Sequence, residues 1–363
     1  MAWFVATVAV GAQIPATAAA ARLSGHPALT LAGAAALNVP FIAGMRNPWR
    51  DWGRRGLWLR LWLYLGLWPF FCWAALCLAF LLLAPVGLLA AALTPLTVDQ
   101  ALAACGAAAV VLGARALSRR PRLVTHDVAV TGLPAALDGY RIAHISDVHC
   151  GPLTPPSQVR RWVEAVNRAG ADLAVVTGDL ITSGDAYVAD VAAALGELRA
   201  RDGVFASMGN HDYFGDGESL VDALERHGVR VLRNRGVLLE AGALYLGGVD
   251  DTWTKRADVR RTLAERPAGT AAVLLAHDPN LFPSAAEAGA DLVLSGHTHG
   301  GQFAVPGFAR RWNLARIITS YSSGLYRHGR AALYVNRGLG TTGPPIRLGA
   351  PPEIAVLRLR HAA

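Results

Sequence analysis

The sequence predicts a chain in two parts. Residues 1–122 read as an all-α transmembrane module of about four helices. Residues 123–363 read as an α/β domain, a two-sheet sandwich flanked by helices. Three observations predict this. Hydrophobic residues make up 53% of the chain and charged residues only 17%, which is too apolar for an ordinary soluble protein. The long apolar stretches all lie before Arg122. From about Leu123 short β-rich runs alternate with amphipathic segments, the pattern of a layered α/β fold.

The apolar stretches are roughly 2–21, 28–45, 61–84 and 98–117, each about the 17–25 residues that a bilayer-spanning helix requires. The first lacks the basic start of a signal peptide, and more apolar stretches follow it, so it reads as an anchor. Pro85, Pro95 and "VGLLAAAL" blur the boundary between the third and fourth stretches. Arginines set the expected orientation. Arg46, Arg50, Arg54, Arg55 and Arg60 fill the loop after the second stretch, and Arg115, Arg119, Arg120 and Arg122 mark the exit from the fourth. Four spans with this distribution place both termini and the second domain in the cytoplasm, in a multi-pass protein of a bacterial inner membrane. Trp49, Trp52 and Trp58 suit an interfacial aromatic belt. The stretches carry essentially no ionisable group, with Asp99 at an edge, so the module reads as an anchor and not as a transport path. Lateral access for a lipid substrate is the sharper alternative.

The net charge of +8 also belongs to this part. Up to Arg122 ten arginines face Asp51 and Asp99, while the rest of the chain is neutral. No nucleic-acid partner is therefore expected. The four cysteines show neither a disulfide framework nor a CxxC zinc pattern and read as packing residues.

In the second part the buried-strand candidates are "YRIAHIS", "DLAVVTG", "GVFASMG", "ALYLGGV", "TAAVLLA" and "DLVLSG", then "AALYVN" and "EIAVLRL". Thr154 can cap a helix that Gly170 ends, with Val159, Trp162, Val163 and Val166 on one face. Further helices are expected near 185–200, 217–227 and 256–265. Metal-capable side chains follow almost every strong strand: Asp147 and His149, then Asp179, then Asn210, His211 and Asp212, then His277, then His297 and His299. Sites in open α/β sheets form at the carboxyl ends of strands, so five distant stretches are expected to meet on one rim. Each alone is weak, because a lone Asp after a strand is usually a cap. The ordered series is far harder to obtain by chance, and five of the eleven histidines fall in it.

The series "DxH … GD … GNHD … H … GHTH" resembles the calcineurin-like metallophosphoesterase superfamily. "SGHTHGGQ" and "VNRGLGTTGPPIRLGAPPEI" are similar to its bacterial membrane-associated YkuE/YaeI-like branch, some members of which hydrolyse the pyrophosphate of UDP-2,3-diacylglucosamine. The multi-span amino-terminal part departs from the simplest members. The resemblance implies a metallophosphoesterase sandwich and a site for two divalent ions. Asp147, His149 and His299 would bind one, Asn210, His277 and His297 the other, and Asp179 both. Oxygen and neutral imidazole ligands suit Mn²⁺, Fe²⁺ or Zn²⁺. His211 matches the family's catalytic, non-ligand histidine, a transition-state stabiliser or proton donor. Asp212 either orients His211 or caps the turn. Gly178, Gly209 and Gly296 would let backbone pass close to metal or phosphate. Arg337 and Arg347 are candidates for a substrate phosphate, or else ordinary ion pairs. The implied activity is hydrolysis of a phosphodiester or pyrophosphate on a lipid or nucleotide-linked lipid. Alternatives are a phosphomonoesterase or nucleotide phosphatase with the same site, or a non-catalytic membrane sensor or scaffold. The last is disfavoured because no ligand position is missing. The expected partners are thus the lipid bilayer and a phosphorylated small-molecule or lipid substrate.

Overall fold

A computed structural model of the chain describes residues 10–44, 61–118, 120–239 and 243–362. The arginine loop with Arg46 to Arg60, its tryptophans and Arg119 lie outside the described residues. The chain divides into two compact units, residues 1–118 with 344–348 and residues 119–343 with 349–363.

The first unit is helical: α1 (Ile14–Ser24), α2 (Pro27–Gly44), α3 (Trp68–Leu93) and α4 (Val98–Ala116). A π-helical turn, Trp62–Leu67, leads into α3. Two helices among the described residues are long and apolar enough to cross a membrane, Trp62–Leu93 and Val98–Ala116. This corrects the expectation of four. The third stretch does not end at Pro85 but continues through it to Leu93. In apolar surroundings no water competes for the backbone groups, so a helix survives a proline. The first stretch lies partly outside the described residues; within them α1 ends at Ser24, with Gly25 at φ 69° as its C-cap. The second, α2, is a shorter apolar helix. Gln13 and Asn38 are both buried and exchange amide hydrogen bonds of 3.0 and 2.9 Å, so two polar groups in this apolar unit satisfy each other. Thr97 and Gln100 form a reciprocal capping box that starts α4.

The second unit contains two six-stranded mixed sheets with helices outside, as the sequence predicts. In chain order it runs β1 (Arg122–Thr131), β2 (Arg141–Ile145), α5 (Pro156–Arg168), β3 (Leu173–Thr177), α6 (Val188–Leu195), β4 (Val204–Ser207), α7 (Gly217–Arg226) and β5 (Val229–Val231). Then come β6 (Arg235–Leu238), β7 (Leu244–Gly248), α8 (Val259–Ala264), β8 (Ala271–Leu275), α9 (Phe282–Glu287), β9 (Leu292–Ser295), β10 (Gly324–His328), β11 (Ala331–Val335) and β12 (Glu353–Ala362). One sheet has the order β1-β12-β2-β3-β4-β5 and the other β10-β11-β9-β8-β7-β6. The inner strands β2-β3-β4 and β7-β8-β9 are parallel, so their carboxyl ends share a direction within each sheet.

Strand periodicity explains the layers. Successive side chains point to opposite faces. On β3, Leu173 and Val175 join Leu244, Leu246, Val273, Leu275, Leu292 and Leu294 in one apolar cluster fed by both sheets. Ala174 and Val176 instead join Val159, Trp162, Val163 and Val166 of α5. The helix starts at Pro156 with Pro155 in the cap position, one residue later than the Thr154 cap expected. Cys150 is buried in the helix-side cluster. Cys72, by contrast, is exposed.

Candidate metal centre

Each predicted ligand lies just beyond the end of a strand. Asp147 and His149 follow β2, Asp179 follows β3, Asn210 follows β4, His277 follows β8, and His297 and His299 follow β9. Eight described non-glycine residues have positive φ, and five of them are Asp147, His149, Asp179, His297 and His299, at 48–69°. That conformation costs side-chain-bearing residues energy and clusters at functional sites. The backbone thus pays in strain to turn these side chains toward one another.

Glycines make the convergence possible. A Cβ on Gly178 would lie 2.5 Å from His277 Nδ1, and one on Gly209 2.4 Å from Asp179 Oδ1. On Gly296 it would lie 2.4 Å from Asp147 Oδ2. All three positions need glycine on steric grounds.

The ligand atoms form two groups. Those of Asp147, His149, Asp179 and His299 lie within 4.8 Å of one another, as do those of Asp179, His277 and His297. Asp179 belongs to both. Its Oδ2 is 3.5 Å from His149 Nε2 and 3.3 Å from His277 Nε2. His299 Nε2 is 3.4 Å from Asp147 Oδ1 and 3.1 Å from His149 Nε2, and His297 Nδ1 is 3.2 Å from His277 Nε2.

The electrostatics match a cation site. Burial pushes the Asp147 carboxyl up. Burial also pushes Asp179 up, but the charge and hydrogen bond of His277, with His149 and His211, hold it well below the usual carboxylate range. His277 is raised well above the usual imidazole range, since Asp179 outweighs the burial that would lower it. Buried negative charge is here balanced by a proton on imidazole, which a divalent ion would replace on binding. Asn210 Oδ1 is buried and has no hydrogen-bond partner. A buried carbonyl oxygen with no donor is an acceptor that a cation would satisfy. The His277 ring is fixed by Nδ1, 2.8 Å from Thr177 O. Donation there leaves Nε2, which faces Asp179, as the nitrogen that would give up its proton to an ion, the arrangement by which outer partners orient metal-ligating histidines. The residues present therefore fit the expected pair of divalent ions.

His211 stands beside the ligands. Its ring is edge-on to His149 at 4.7 Å, and its backbone N–H donates to Asp179 Oδ1 at 2.9 Å. Its Nδ1 lies 2.7 Å from Thr182 O, so Nε2 is the nitrogen left for proton exchange. Asp212 does not orient this ring. Its carboxylate accepts the N–H groups of Leu180, Ile181 and Gly209 at 2.8, 3.2 and 2.9 Å. It ties the Asp179 turn to the Asn210 turn. Burial, with the charge of Asp179, pushes its carboxyl up to about 7.

Arg337 pairs with buried Glu353 at 3.3 Å, while its Cγ lies 3.0 Å from where a Cβ on Gly300 would sit. It is near the His299 turn with its charge already matched. Arg347 is buried and falls in the 344–348 segment of the first unit. Thr342 and Gln302 lie in the stretches similar to the membrane-associated branch, but neither is a usual metal-ligand type, so sequence reasoning passes over them. Thr342 Oγ1 is 2.8 Å from His299 Nε2. Gln302 holds the Thr342 backbone by a reciprocal pair of bonds at 3.1 and 3.0 Å.

Residues 140–301 match the calcineurin-like phosphoesterase family. Metallophosphoesterase YkuE of Bacillus subtilis is 31% identical over 246 residues, covering 65% of this chain and 84% of that protein. A metallophosphoesterase of Helicobacter pylori is 34% identical, over 60% of this chain and 59% of its own length. A zebrafish (Danio rerio) transmembrane protein with a metallophosphoesterase domain is 31% identical, over 67% of this chain and 58% of its own length. The chain thus spans under two thirds of the last two. With the motif series, the two sheets and the shared ligand set in place, the chain belongs to the calcineurin-like metallophosphoesterase family.

Proposed function

We propose that the chain is a membrane-anchored phosphoesterase that uses two divalent ions of the Mn²⁺, Fe²⁺ or Zn²⁺ type to hydrolyse a phosphodiester or pyrophosphate bond. The observation that carries this reading is Asp179, within ligand distance of both imidazole groups. When bound, two such ions would supply Lewis acidity to the phosphoryl oxygens and activate water. The chain's own residues do the rest. Thr177 O and the strand-end turns hold the imidazoles, and Asp212 fixes two of those turns to each other. His211 Nε2 exchanges a proton with the departing oxygen while Thr182 O keeps the ring in place.

The substrate we propose is lipid-borne or a nucleotide-linked lipid. Support comes from an aromatic rim beside His211. Phe214 packs on its ring at 4.6 Å and Trp253 on Phe214 at 5.9 Å. Both are exposed, Trp253 at 66%, and suit an apolar substituent next to the phosphoryl group. We further propose that the α/β unit faces the cytoplasm of a bacterial inner membrane. Arg115 in the last turn of α4 and Arg120 and Arg122 after it support that orientation, and two spans, like four, return the chain to its starting side.

Purified, Mn²⁺-loaded protein assayed against chromogenic phosphomonoesters, phosphodiesters and UDP-linked lipids tests the substrate class. Turnover of the diester or the lipid pyrophosphate is expected; turnover confined to monoesters would replace this reading with a phosphatase. A reporter fused after Ala363 should read cytoplasmic, and an exported signal would overturn the orientation.

A further inference from the structure

Between Gln302 and Ser320 the chain leaves the turn carrying His297 and His299 and makes an excursion that no step above uses. It is built as a held loop. Phe303 bridges to Gly349 and Ala304 to Asn313. Val305 N–H donates to Trp312 O at 2.9 Å and Leu314 N–H to Phe303 O at 3.2 Å. Its far end is tied down by Thr319 Oγ1, 2.8 Å from Asn280 Oδ1. Thr298 Oγ1, between the two histidines, donates to Ser322 O at 2.7 Å.

The side chains this loop presents to solvent are ill suited to water. Val305, Phe308, Trp312, Leu314, Ile317 and Ile318 are all exposed, Ile317 at 81% and Ile318 at 69%. Elsewhere among the described residues of the α/β unit only Leu123, Phe214, Leu238 and Trp253 are large, apolar and exposed. The excess is therefore concentrated on one loop, and contiguous exposed apolar surface marks an interaction site.

The charge on the loop points to the partner. Arg310, Arg311 and Arg316 are exposed, and no carboxylate pairs with them among the described residues. Arg310 donates to Leu325 O and lies over the Tyr326 ring, and Arg316 donates to Ser320 O. No aspartate or glutamate occurs from residue 292 to residue 352. Aromatic and branched aliphatic side chains with arginine and no acid match the headgroup–acyl boundary of an anionic leaflet. There apolar groups enter the acyl edge, tryptophan sits at the interface, and guanidinium meets phosphate.

The chain itself favours a bilayer over a protein partner. The second span-length helix ends at Ala116 and the first strand begins at Arg122. The intervening residues reach at most about 20 Å, so membrane is always present at high effective concentration.

We propose that the 303–320 loop is a membrane-docking element. It seats Phe308, Trp312, Leu314, Ile317 and Ile318 in an anionic leaflet, with Arg310, Arg311 and Arg316 on lipid phosphates. This second attachment is independent of which phosphoester the site cleaves.

The test uses full-length protein in nanodiscs, in a Cys72→Ala background. An environment-sensitive fluorophore is placed at Ile317→Cys, or at Phe308→Cys as a second site, and at Arg168→Cys on α5 as a comparison. Discs contain phosphatidylcholine with or without phosphatidylglycerol, plus spin-labelled lipid as quencher. In anionic discs the labels at 317 and 308 should be blue-shifted and quenched at least threefold more than the label at 168. Replacing Arg310, Arg311 and Arg316 together by glutamate should remove most of that difference. Labels at 317 and 308 as water-exposed as the one at 168 would overturn the proposal. So would shielding that persists in lipid-free detergent and grows with protein concentration, which assigns the patch to a protein contact.

Discussion

Replacing Gly296 with alanine adds one methyl group at the most crowded point of the site. The new Cβ would lie 1.8 Å from Ser146 Oγ, 2.4 Å from Asp147 Oδ2 and 2.7 Å from Ser146 Cβ. Non-bonded heavy atoms settle at roughly 3.5 Å, so against the 2.4 Å contact the Asp147 carboxylate must retreat by about 1 Å. Neither neighbour is loose. Ser146 Oγ donates to Thr177 O at 2.6 Å, and the Asp147 carboxylate accepts the His297 N–H at 3.1 Å. The shift therefore drags the His297 turn with it. Overpacking of this kind costs about 1–3 kcal/mol, and an ångström of misplacement about 100-fold in rate. Metal analysis, turnover of a chromogenic phosphoester and thermal melting should show lost metal, about 100-fold slower turnover and a lower melting temperature. Adding Ser146→Gly removes the 1.8 Å and 2.7 Å contacts but not the one with Asp147. It should recover stability without recovering turnover. Full metal content and normal turnover in Gly296→Ala would refute the convergence of β2 and β9 on one ion.

Two further outcomes follow from neighbouring residues. His211→Ala should keep both metals and lose about 10²–10⁴-fold in turnover; concurrent metal loss would make His211 a ligand. His144 is fully buried, with Nε2 2.8 Å from Thr177 Oγ1 and no partner for Nδ1, and burial lowers its pKa to about 3. The unfolded chain binds a proton there below about pH 6.5 and the folded chain does not, so its contribution to stability is lost as pH falls from 6.5 toward 3. By pH 5 the loss is about 2 kcal/mol. His144→Leu should therefore lose less stability than the wild type on going from pH 7 to pH 5, and equal losses would show that His144 is not held neutral.

Much of the site could be read from the sequence because strand ends are written in it. A buried run such as "LAVVT" ends where its apolar residues end, and Asp179 follows two residues later. The boundaries of β4, β7, β8, β9 and α7 fall within the stretches expected of them. What the sequence hid is of a different kind. The Thr182 carbonyl that holds His211 is backbone, which every residue has, so no residue type could mark it. Asp212 looked like a partner for His211 because the two are adjacent, yet its carboxylate points into the turn between β3 and α6. Thr342 reaches His299 from 43 positions away, through a loop pairing that no local pattern encodes. β5, of three residues, and β6 and β10, whose burial is incomplete, lack the continuous apolar run that reveals a buried strand. In the helical unit, hydropathy alone marked apolar stretches but not their ends, because Pro85 does not break a helix in apolar surroundings.

The central claim is that Asp179 joins two ion sites. Metal analysis of the purified full-length protein and of Asp179→Asn tests it most directly. The account predicts close to two transition-metal ions per chain in the wild type and loss of most of both in the variant, with the fold retained. A metal content unchanged by Asp179→Asn would contradict it.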